Sequence, residues 1–286
     1  MPGGDSFERV TREDDFDFPA ALRGLAGAPR VLYWLGSVWP PPERAVALVG
    51  SRAASPYGEE MAFMLAADLA RSGVCVVSGM ARGIDTVAHH GALAAGGTTL
   101  AVLAASPGSA YPPSSHDLHA EILTQGAACS PFPEGTALRP GLFLTRNRVV
   151  AGLSLGVVVV EAGLKSGAHT TAAWARRWGR FVGAVPGDLI RDNARGSLAL
   201  LRSGAIPIGD AGHVLAEIDR VSPATDPPSR LLEMLAPGPQ SVAALARKAG
   251  MAEREVVAAL VTLELTGAVE RRPGGRYRRR DEEGRA

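Results

Sequence analysis

The stretch VALVGSRAASPYG, residues 46–58, decides the fold of this chain. Its first four residues are all apolar and predict a strand that is buried on both faces of a sheet. Ser55 followed by Pro56 predicts the start of a helix, because serine can accept hydrogen bonds from the free amides of a first turn and proline fits its first position. A buried strand that leads through a short loop into a helix is typical of a parallel sheet.

The same pattern recurs along the chain and predicts a Rossmann-like, doubly wound α/β fold with a mostly parallel sheet. Short apolar runs alternate with longer helical segments, and Gly73 and Gly96 stand where the C-terminal caps of two helices would fall. The predicted strands are Val46–Val49, Val74–Val77, Thr98–Leu103, Ala127–Ser130, Val157–Glu161, Phe181–Val185 and Ala205–Ile208.

The composition of successive segments predicts four parts. Residues 1–44 are an N-terminal arm, in which we expect residues 1–16 to be disordered and residues 18–42 to be ordered without a regular period. Residues 45–218 are the Rossmann-like domain, and the proline-rich run at residues 219–229 is a linker. Residues 230–280 hold three predicted helices and then an arginine-flanked Gly-Gly hairpin, which is typical of a small winged-helix domain. These helices are Arg230–Leu235, Ser241–Ala249 and Glu253–Thr266.

The overall composition is that of a folded protein. Of the 286 residues, 46% are hydrophobic and 21% are charged, and no apolar stretch approaches the roughly 18 residues of a membrane helix. The first twenty residues carry several acidic side chains and no apolar run, so we expect no signal peptide and a cytoplasmic protein. Cys75 and Cys129 stand in apolar runs, which predicts buried thiols and no metal site.

The loop Gly50-Ser51-Arg52 follows the first strand of the parallel sheet and is a candidate phosphate site. Ligands of such sheets bind beyond the carboxyl ends of the strands, where helix N-termini favour anions. Glycine permits close approach of the backbone, the serine hydroxyl can donate a hydrogen bond, and the arginine can bind two phosphate oxygens. An ordinary turn with a surface arginine explains the tripeptide equally well. The loop lacks GxGxxG, so we expect no nicotinamide cofactor.

The second strand leads into SGMARGID, residues 78–85, which carries Arg82 as a further candidate phosphate ligand. Asp85 and His89 are four residues apart and share one face of a predicted helix. The pair could act as an acid and a base. We favour a structural pair in which Asp85 caps the helix, because no nucleophile or cluster of metal ligands accompanies it.

A third candidate region combines cationic, amide and aromatic side chains on both sides of the strand at residues 157–161. Single-stranded nucleic acid is bound by this combination, with cations on the backbone and an aromatic face on a base. Scattered surface cations beside a core phenylalanine are the alternative. Glu161, at the end of that strand, is expected to orient a neighbouring arginine. The candidate residues are Phe143, Arg146, Asn147, Arg148, Lys165, Ser166 and Gly167.

Taken together, the motifs VGSR–SPYG, VSGMARGID, RNRVVAGLS and VVVVEAGLKSG resemble the DNA-processing protein A (DprA/Smf) family, bacterial proteins of natural transformation. The resemblance covers about Phe18 to Ile218, and residues 230–280 resemble the winged-helix (DML1-like) domain of many members. It implies a dimer that binds and protects single-stranded DNA, helps RecA displace single-strand-binding protein, and uses no cofactor and no catalysis. Many members begin with a SAM-like domain, and we expect residues 1–44 to hold no full domain of that kind.

The resemblance also implies roles for particular residues. The phosphate-binding positions of the family correspond to Gly50, Ser51 and Arg52. A second DNA-contacting region corresponds to residues of the third candidate group, namely Phe143, Arg146, Asn147, Arg148 and Lys165. Arg52 and Lys165 would then contact phosphates of one strand from the same rim of the sheet.

Two other classes of function remain as alternatives. Phosphoribohydrolases share a related fold and are marked by PGGxGTxxE, whereas this chain has EAGLKSGAHTT in the corresponding place. A winged-helix transcription regulator would instead bind duplex DNA through the hairpin. The candidate contacts there are Arg271, Arg272, Arg276 and Arg278.

Overall fold

A computed structural model describes residues 8–110, 112–221, 227–235, 238–249 and 251–280. These residues fall into two compact units, which divide between Val221 and Ser222. Residues 219–221 and 227–229 of the predicted linker are helical, and residues 222–226 lie outside the described part of the chain.

The first unit is built on a nine-stranded sheet whose order is β1-β2-β6-β5-β4-β3-β7-β8-β9. The strands from β3 to β9 are parallel, and β1 and β2 are antiparallel to their neighbours. The mostly parallel sheet predicted from the sequence is confirmed. The strands are β1 (Arg9–Arg12), β2 (Val31–Gly36), β3 (Ala45–Val49), β4 (Cys75–Ser78), β5 (Thr99–Val102), β6 (Ala127–Ser130), β7 (Gly156–Val159), β8 (Phe181–Ala184) and β9 (Ile206–Pro207).

Helices cover both faces of this sheet, and their predicted ends are confirmed where the sequence marked them. The Ser55 hydroxyl accepts a hydrogen bond from the Gly58 amide, and Gly73 and Gly96 have positive φ angles just beyond two helices. The helices are α1 (Pro56–Arg71), α2 (Ile84–Ala94), α3 (His116–Gln125), α4 (Pro140–Gly152), α5 (Ala168–Arg177), α6 (Arg195–Arg202) and α7 (Ala211–Val221), with short 3-10 turns at Ala20–Leu22, Pro113–Ser115 and Asp192–Ala194.

Strand β3 shows why the apolar runs are uninterrupted. Ala47 and Val49 pack into the core on one face of the sheet, while Val46 and Leu48 pack into the core on the other face. Both cysteines are buried free thiols, as predicted. Burial raises the pKa of the Cys75 thiol to about 12, which keeps it protonated and unreactive.

The N-terminal arm differs from the prediction. Residues 9–12, which we expected to be disordered, form strand β1, and Val31–Gly36 form strand β2 beside β6. The physical reason is that β6 would otherwise be an open edge, and the apolar segment VLYWL supplies β-prone residues to cover it. Residues 1–7 lie outside the described residues.

The second unit is a three-helix module with a small antiparallel sheet, and it confirms the predicted winged-helix fold. Its helices are α8 (Pro227–Leu235), α9 (Val242–Ala249) and α10 (Glu253–Leu265), and its strands are β10 (Gln240–Ser241), β11 (Val269–Arg272) and β12 (Arg276–Arg279). The Ser241 hydroxyl accepts a hydrogen bond from the Ala244 amide and so caps α9, as predicted. Gly274 and Gly275 have positive φ angles and turn the chain between β11 and β12.

Candidate nucleic-acid interface

A cleft of about 280 Å³ lies at the carboxyl edge of the parallel sheet, beyond strands β3, β4 and β5. Three arginines line it together with one phenylalanine and the glycine that follows β4. We call this site the arginine cleft. Its lining residues are Arg52, Gly79, Ala81, Arg82, Leu103, Ala104, Pro112, Ser114, Phe143 and Arg146.

Arg146 is the fixed cation of the cleft. Although it is only 5% exposed, its guanidinium Nη1 lies 3.7 Å from the Asp85 carboxylate and donates a hydrogen bond to the Val102 carbonyl. Helix α4 therefore places a buried positive charge in the lining of the cleft from a position distant in sequence. Burial lowers the pKa of Arg146, and the nearby carboxylate of Asp85 opposes that change.

Asp85 connects two loops of the sheet edge with helix α4. Its carboxylate accepts a hydrogen bond from the Gly79 amide, and the amides of Gly50 and Ala81 also favour its charged form. Burial raises the pKa of this carboxyl, while Arg146 and the three amides oppose the rise. The carboxylate thus positions the β3 loop, the β4 loop and the buried arginine relative to one another.

The backbone after β4 makes room for Arg146. A Cβ atom on Gly79 would lie 1.1 Å from Nη1 of Arg146, so any other residue here would require the guanidinium to move. Met80 follows with a φ of +55°, which is uncommon for a residue with a side chain and turns the chain toward Arg82. The roles of Gly79 and Met80 and the partnership of Asp85 with Arg146 were not predicted from the sequence.

Arg52 and Phe143 meet on the rim of the cleft. The Arg52 guanidinium lies over the phenyl ring at 5.3 Å from its centroid, which is a cation–π contact. Arg52 and Arg82 are exposed, and Phe143 is half-buried. The two predicted regions, the Gly50–Arg52 loop and helix α4, are therefore brought together. The backbone amide of Ser51 donates to the Glu161 carbonyl and its hydroxyl oxygen accepts from the Ala53 amide, which leaves the hydroxyl proton as a further donor.

Other predicted residues lie beside the cleft or away from it. Lys165 is exposed on the loop after β7, next to β3 in the sheet, and it does not line the cleft. Asn147 donates a hydrogen bond to the Gly167 carbonyl, which ties this loop to α4, and the Ser166 hydroxyl accepts one from the Ala168 amide. Arg148 binds the Gly27 carbonyl and stacks on a tryptophan, so it fastens the arm.

Two structural expectations were wrong. Asp85 does not pair with His89, whose Nδ1 lies 2.7 Å from the Thr99 hydroxyl, and burial lowers the pKa of His89 to about 3. Glu161 does not orient an arginine, since its carboxylate accepts hydrogen bonds from the amide and hydroxyl of Ser55. Both acidic groups instead hold loops at the sheet edge. The reason is that closer donors are available to each. Glu161 meets Ser55 at the start of α1, and Asp85 meets the Gly79 amide and Arg146.

The hairpin arginines lie in the second unit on a different kind of surface. Arg271, Arg272, Arg276 and Arg278 are all exposed, and Arg272 pairs with Glu270. In the part of the chain that the structure describes, no helix combines the length and apolar composition needed to cross a bilayer. Among the same residues, no three or more His, Cys, Asp or Glu side chains are grouped to hold a metal ion.

A doubly wound sheet with a cation-lined cleft at its carboxyl edge defines a Rossmann-like protein whose cleft suits a phosphate-bearing ligand. Comparison with known proteins identifies the class further. The chain belongs to the DNA recombination-mediator protein A family, whose model matches residues 9–219. A model of the DprA winged helix domain matches residues 219–275.

Individual relatives agree with this assignment. A DNA processing protein DprA of Mycobacterium tuberculosis is 38% identical, with 93% of this chain and 76% of the relative covered. The crystal structure of DNA processing protein A from Streptococcus pneumoniae matches with a TM-score of 0.69 and 33% identity, covering 73% of this chain and 74% of that one. A structure of DNA processing protein A from Helicobacter pylori is described for its single-stranded DNA binding mode. It matches with a TM-score of 0.66 and 28% identity, covering 74% of this chain and 96% of that one.

Proposed function

We propose that this protein binds single-stranded DNA in the arginine cleft, protects it, and loads RecA onto it in place of single-strand-binding protein during transformation and recombination. It acts as a cytoplasmic homodimer without catalysis and without a cofactor. Membership of the family and similarity to the Helicobacter pylori protein, which is described for its single-stranded DNA binding, support this proposal.

The observation that carries the proposal is the convergence of three arginines and a phenylalanine on one cleft. A guanidinium can form two parallel hydrogen bonds to a phosphate, and a buried one loses little conformational entropy on binding. The ring of Phe143 offers a surface to a base only when that base is unstacked, as it is in a single strand. The combination therefore favours single strands over duplex DNA.

Substitution of Arg52 by alanine tests the proposal most directly. We expect weaker binding of every sequence and a salt slope that is lower by roughly 0.7, the value for one phosphate contact in a single strand. The measurement is fluorescence anisotropy of a short mixed-sequence oligonucleotide over a range of salt. Arg71→Ala is the matched control, because Arg71 is an exposed arginine at the far end of α1. Equal slopes in both variants would place the strand elsewhere.

Phe143→Ala removes the aromatic ring, including its contact with Arg52, and leaves every charge at the site in place. Loss of one stacked base weakens binding by roughly 1–3 kcal/mol with little dependence on salt. Lys165→Ala measures whether the strand extends over the loop after β7, and a lower salt slope in that variant places a second phosphate there.

The loading step and the absence of catalysis have their own measurements. We expect the full chain to shorten the lag of RecA nucleation on a strand covered with single-strand-binding protein, and the Arg52→Ala variant to lose this effect. Light scattering of the full chain checks the homodimer. If the wild type hydrolysed a nucleoside monophosphate and Glu161→Ala did not, the protein would be an enzyme, and the proposed loading function would be contradicted.

A further inference from the structure

A second cavity, of about 510 Å³, lies at the carboxyl ends of β7 and β8 and has no role in the function proposed above. We call it the β8 pocket. In the strand order, the pocket lies on the β7 side of the β3 loop, away from β4. The order of the parallel strands reverses between β3 and β7. Ligands of doubly wound sheets bind at such a reversal. Its lining includes Ser55, Tyr57, Glu161, Asp188, Arg191 and Ser197.

Two buried polar groups line this pocket. Ser197 is 1% exposed, and its hydroxyl has no hydrogen-bond partner among the described residues. Glu161 is 5% exposed, and each of its carboxylate oxygens accepts one hydrogen bond from Ser55. Because a carboxylate oxygen has room for a second donor, Glu161 can accept further hydrogen bonds. A buried hydroxyl without a partner is costly unless a ligand or water satisfies it.

The charge of the β8 pocket is opposite to that of the arginine cleft. Glu161 and Asp188 carry two negative charges, and Arg191 carries one positive charge that is 3.5 Å from Asp188. A phosphate is therefore disfavoured here. The pocket suits a neutral ligand that presents N–H donors to carboxylate and hydroxyl oxygens.

The walls of the pocket suit a flat apolar ring. Tyr57 contributes an aromatic ring, and its hydroxyl donates to the Pro186 carbonyl, which holds the ring in place. Val160, Val185 and Pro186 add apolar surface. Between the lining residues Asp188 and Arg191, Leu189 and Ile190 are 77% and 84% exposed, so the same loop also carries exposed apolar side chains.

We propose that the β8 pocket binds a nucleobase that carries an exocyclic amino group. Ser55 lines this pocket and Arg52 lines the arginine cleft, and three residues of chain span at most about 11 Å. One strand can therefore place a phosphate in the cleft and a base in the pocket. This last step rests on the proposed function, whereas binding of a free nucleoside does not.

The test uses the full chain, two pyrimidine homopolymers of equal length and the corresponding free nucleosides. Oligo(dC) and oligo(dT) differ in the exocyclic amino group, as do deoxycytidine and thymidine. Ser197→Leu fills the pocket, and Ala199→Leu adds the same side chain to an exposed site on the same helix. Tyr57→Ala removes the ring at an exposed position, so it carries the test if Ser197→Leu does not fold.

We expect the wild type to bind oligo(dC) about two- to tenfold more tightly than oligo(dT), as one additional hydrogen bond provides. Ser197→Leu and Tyr57→Ala lose this preference, and Ala199→Leu keeps it. Ligand-observed NMR shows deoxycytidine binding that depends on Ser197. If deoxycytidine binds but the variants keep the wild-type preference for oligo(dC) over oligo(dT), the ligand of the pocket is a free nucleoside, and the pocket assignment stands.

Two results separate this proposal from the function on which its second step rests. A wild type that binds deoxycytidine through Ser197 but binds no strand would remove the DNA-binding function and leave the pocket intact. Strand binding that depends on Arg52, with no base preference and no nucleoside bound, would overturn the pocket proposal alone.

Discussion

The arginine cleft and the β11–β12 hairpin use the same side chain in opposite ways. In the cleft, Arg146 is buried, faces Asp85 and lies over Gly79, so its guanidinium has one position. In the hairpin, Arg272 and Arg276 are exposed, and Arg272 forms an ion pair with its strand neighbour Glu270. Exposed pairs contribute little and are screened by salt. A count of arginines therefore does not separate the two surfaces, whereas the buried and fixed Arg146 does, since Arg52 and Arg82 of the cleft are exposed like the hairpin arginines.

Helix α10 extends this contrast within the winged-helix unit. In winged helices the third helix is the one that enters the major groove of DNA. Here its exposed positions include Val257, Val261 and Leu265, together with Glu253 and Glu264. Arg254 is also exposed in the first turn of this helix, but the apolar and acidic side chains cannot neutralise phosphates, and one arginine offers a single contact. This surface gives no support to the alternative of a transcription regulator that recognises a sequence.

The largest effect is expected from Asp85→Ala. It leaves the buried guanidinium of Arg146 without its carboxylate, which costs about 3–5 kcal/mol of unfolding free energy. Urea denaturation of the full chain measures the loss. The double variant Asp85→Leu with Arg146→Met should recover much of the stability but not strand binding, because apolar pairs can replace a buried ion pair. A single variant as stable as the wild type would show that the pair is not structural.

Gly79→Ala tests the position of Arg146 without changing any charge. The new Cβ would meet Nη1 of Arg146, so the guanidinium must move, and we expect a loss of about 1–3 kcal/mol in stability together with weaker strand binding. Gly108→Ala is the matched control, since its Cβ would meet only Leu35 at 3.7 Å. Unchanged strand affinity in Gly79→Ala would mean that the cleft does not need this fixed cation.

Acid should weaken the first unit through His89. Because burial lowers its pKa to about 3 from 6.5, the unfolded chain takes up this proton first as the pH falls. The contribution of His89 is fully present above pH 6.5 and is lost progressively between pH 6.5 and 3. At pH 5.5 the loss is about 1.4 kcal/mol. Chemical denaturation at pH 7 and pH 5.5 should show a smaller pH effect in His89→Leu, and an equal effect would contradict the assignment.

The smallest effect is expected in the hairpin. Each of the substitutions Arg272→Ala and Arg276→Ala should change the unfolding free energy by less than about 0.5 kcal/mol, because both side chains are exposed, and the hairpin variant carries both. Single-strand affinity should fall less than it does in Arg52→Ala under the same salt conditions. Anisotropy titrations of both variants make the comparison. A larger fall in the hairpin variant would reverse the contrast between the two regions.

Local sequence signals predicted much of the fold, because each one acts over a few residues. Ser55 and Pro56 mark the start of α1, continuous apolar runs mark the buried strands, and Gly274 and Gly275 mark the hairpin. Strands β1 and β2 were missed because their role depends on β6, which is about ninety residues further along the chain than β2. Edge pairing of that kind leaves no local pattern.

The site was predicted in part for the same reason. The sequence by itself determined the chemistry at the carboxyl edge of the sheet. The loops that follow parallel strands all lie at that edge, and those loops carry Arg52, Arg82 and Lys165. Only the tertiary structure decided which groups meet. It buried Arg146 against Asp85, moved Arg148 to the arm and paired Glu161 with Ser55. Burial and partner choice depend on how distant segments pack, and side-chain spacing along the chain does not record that packing.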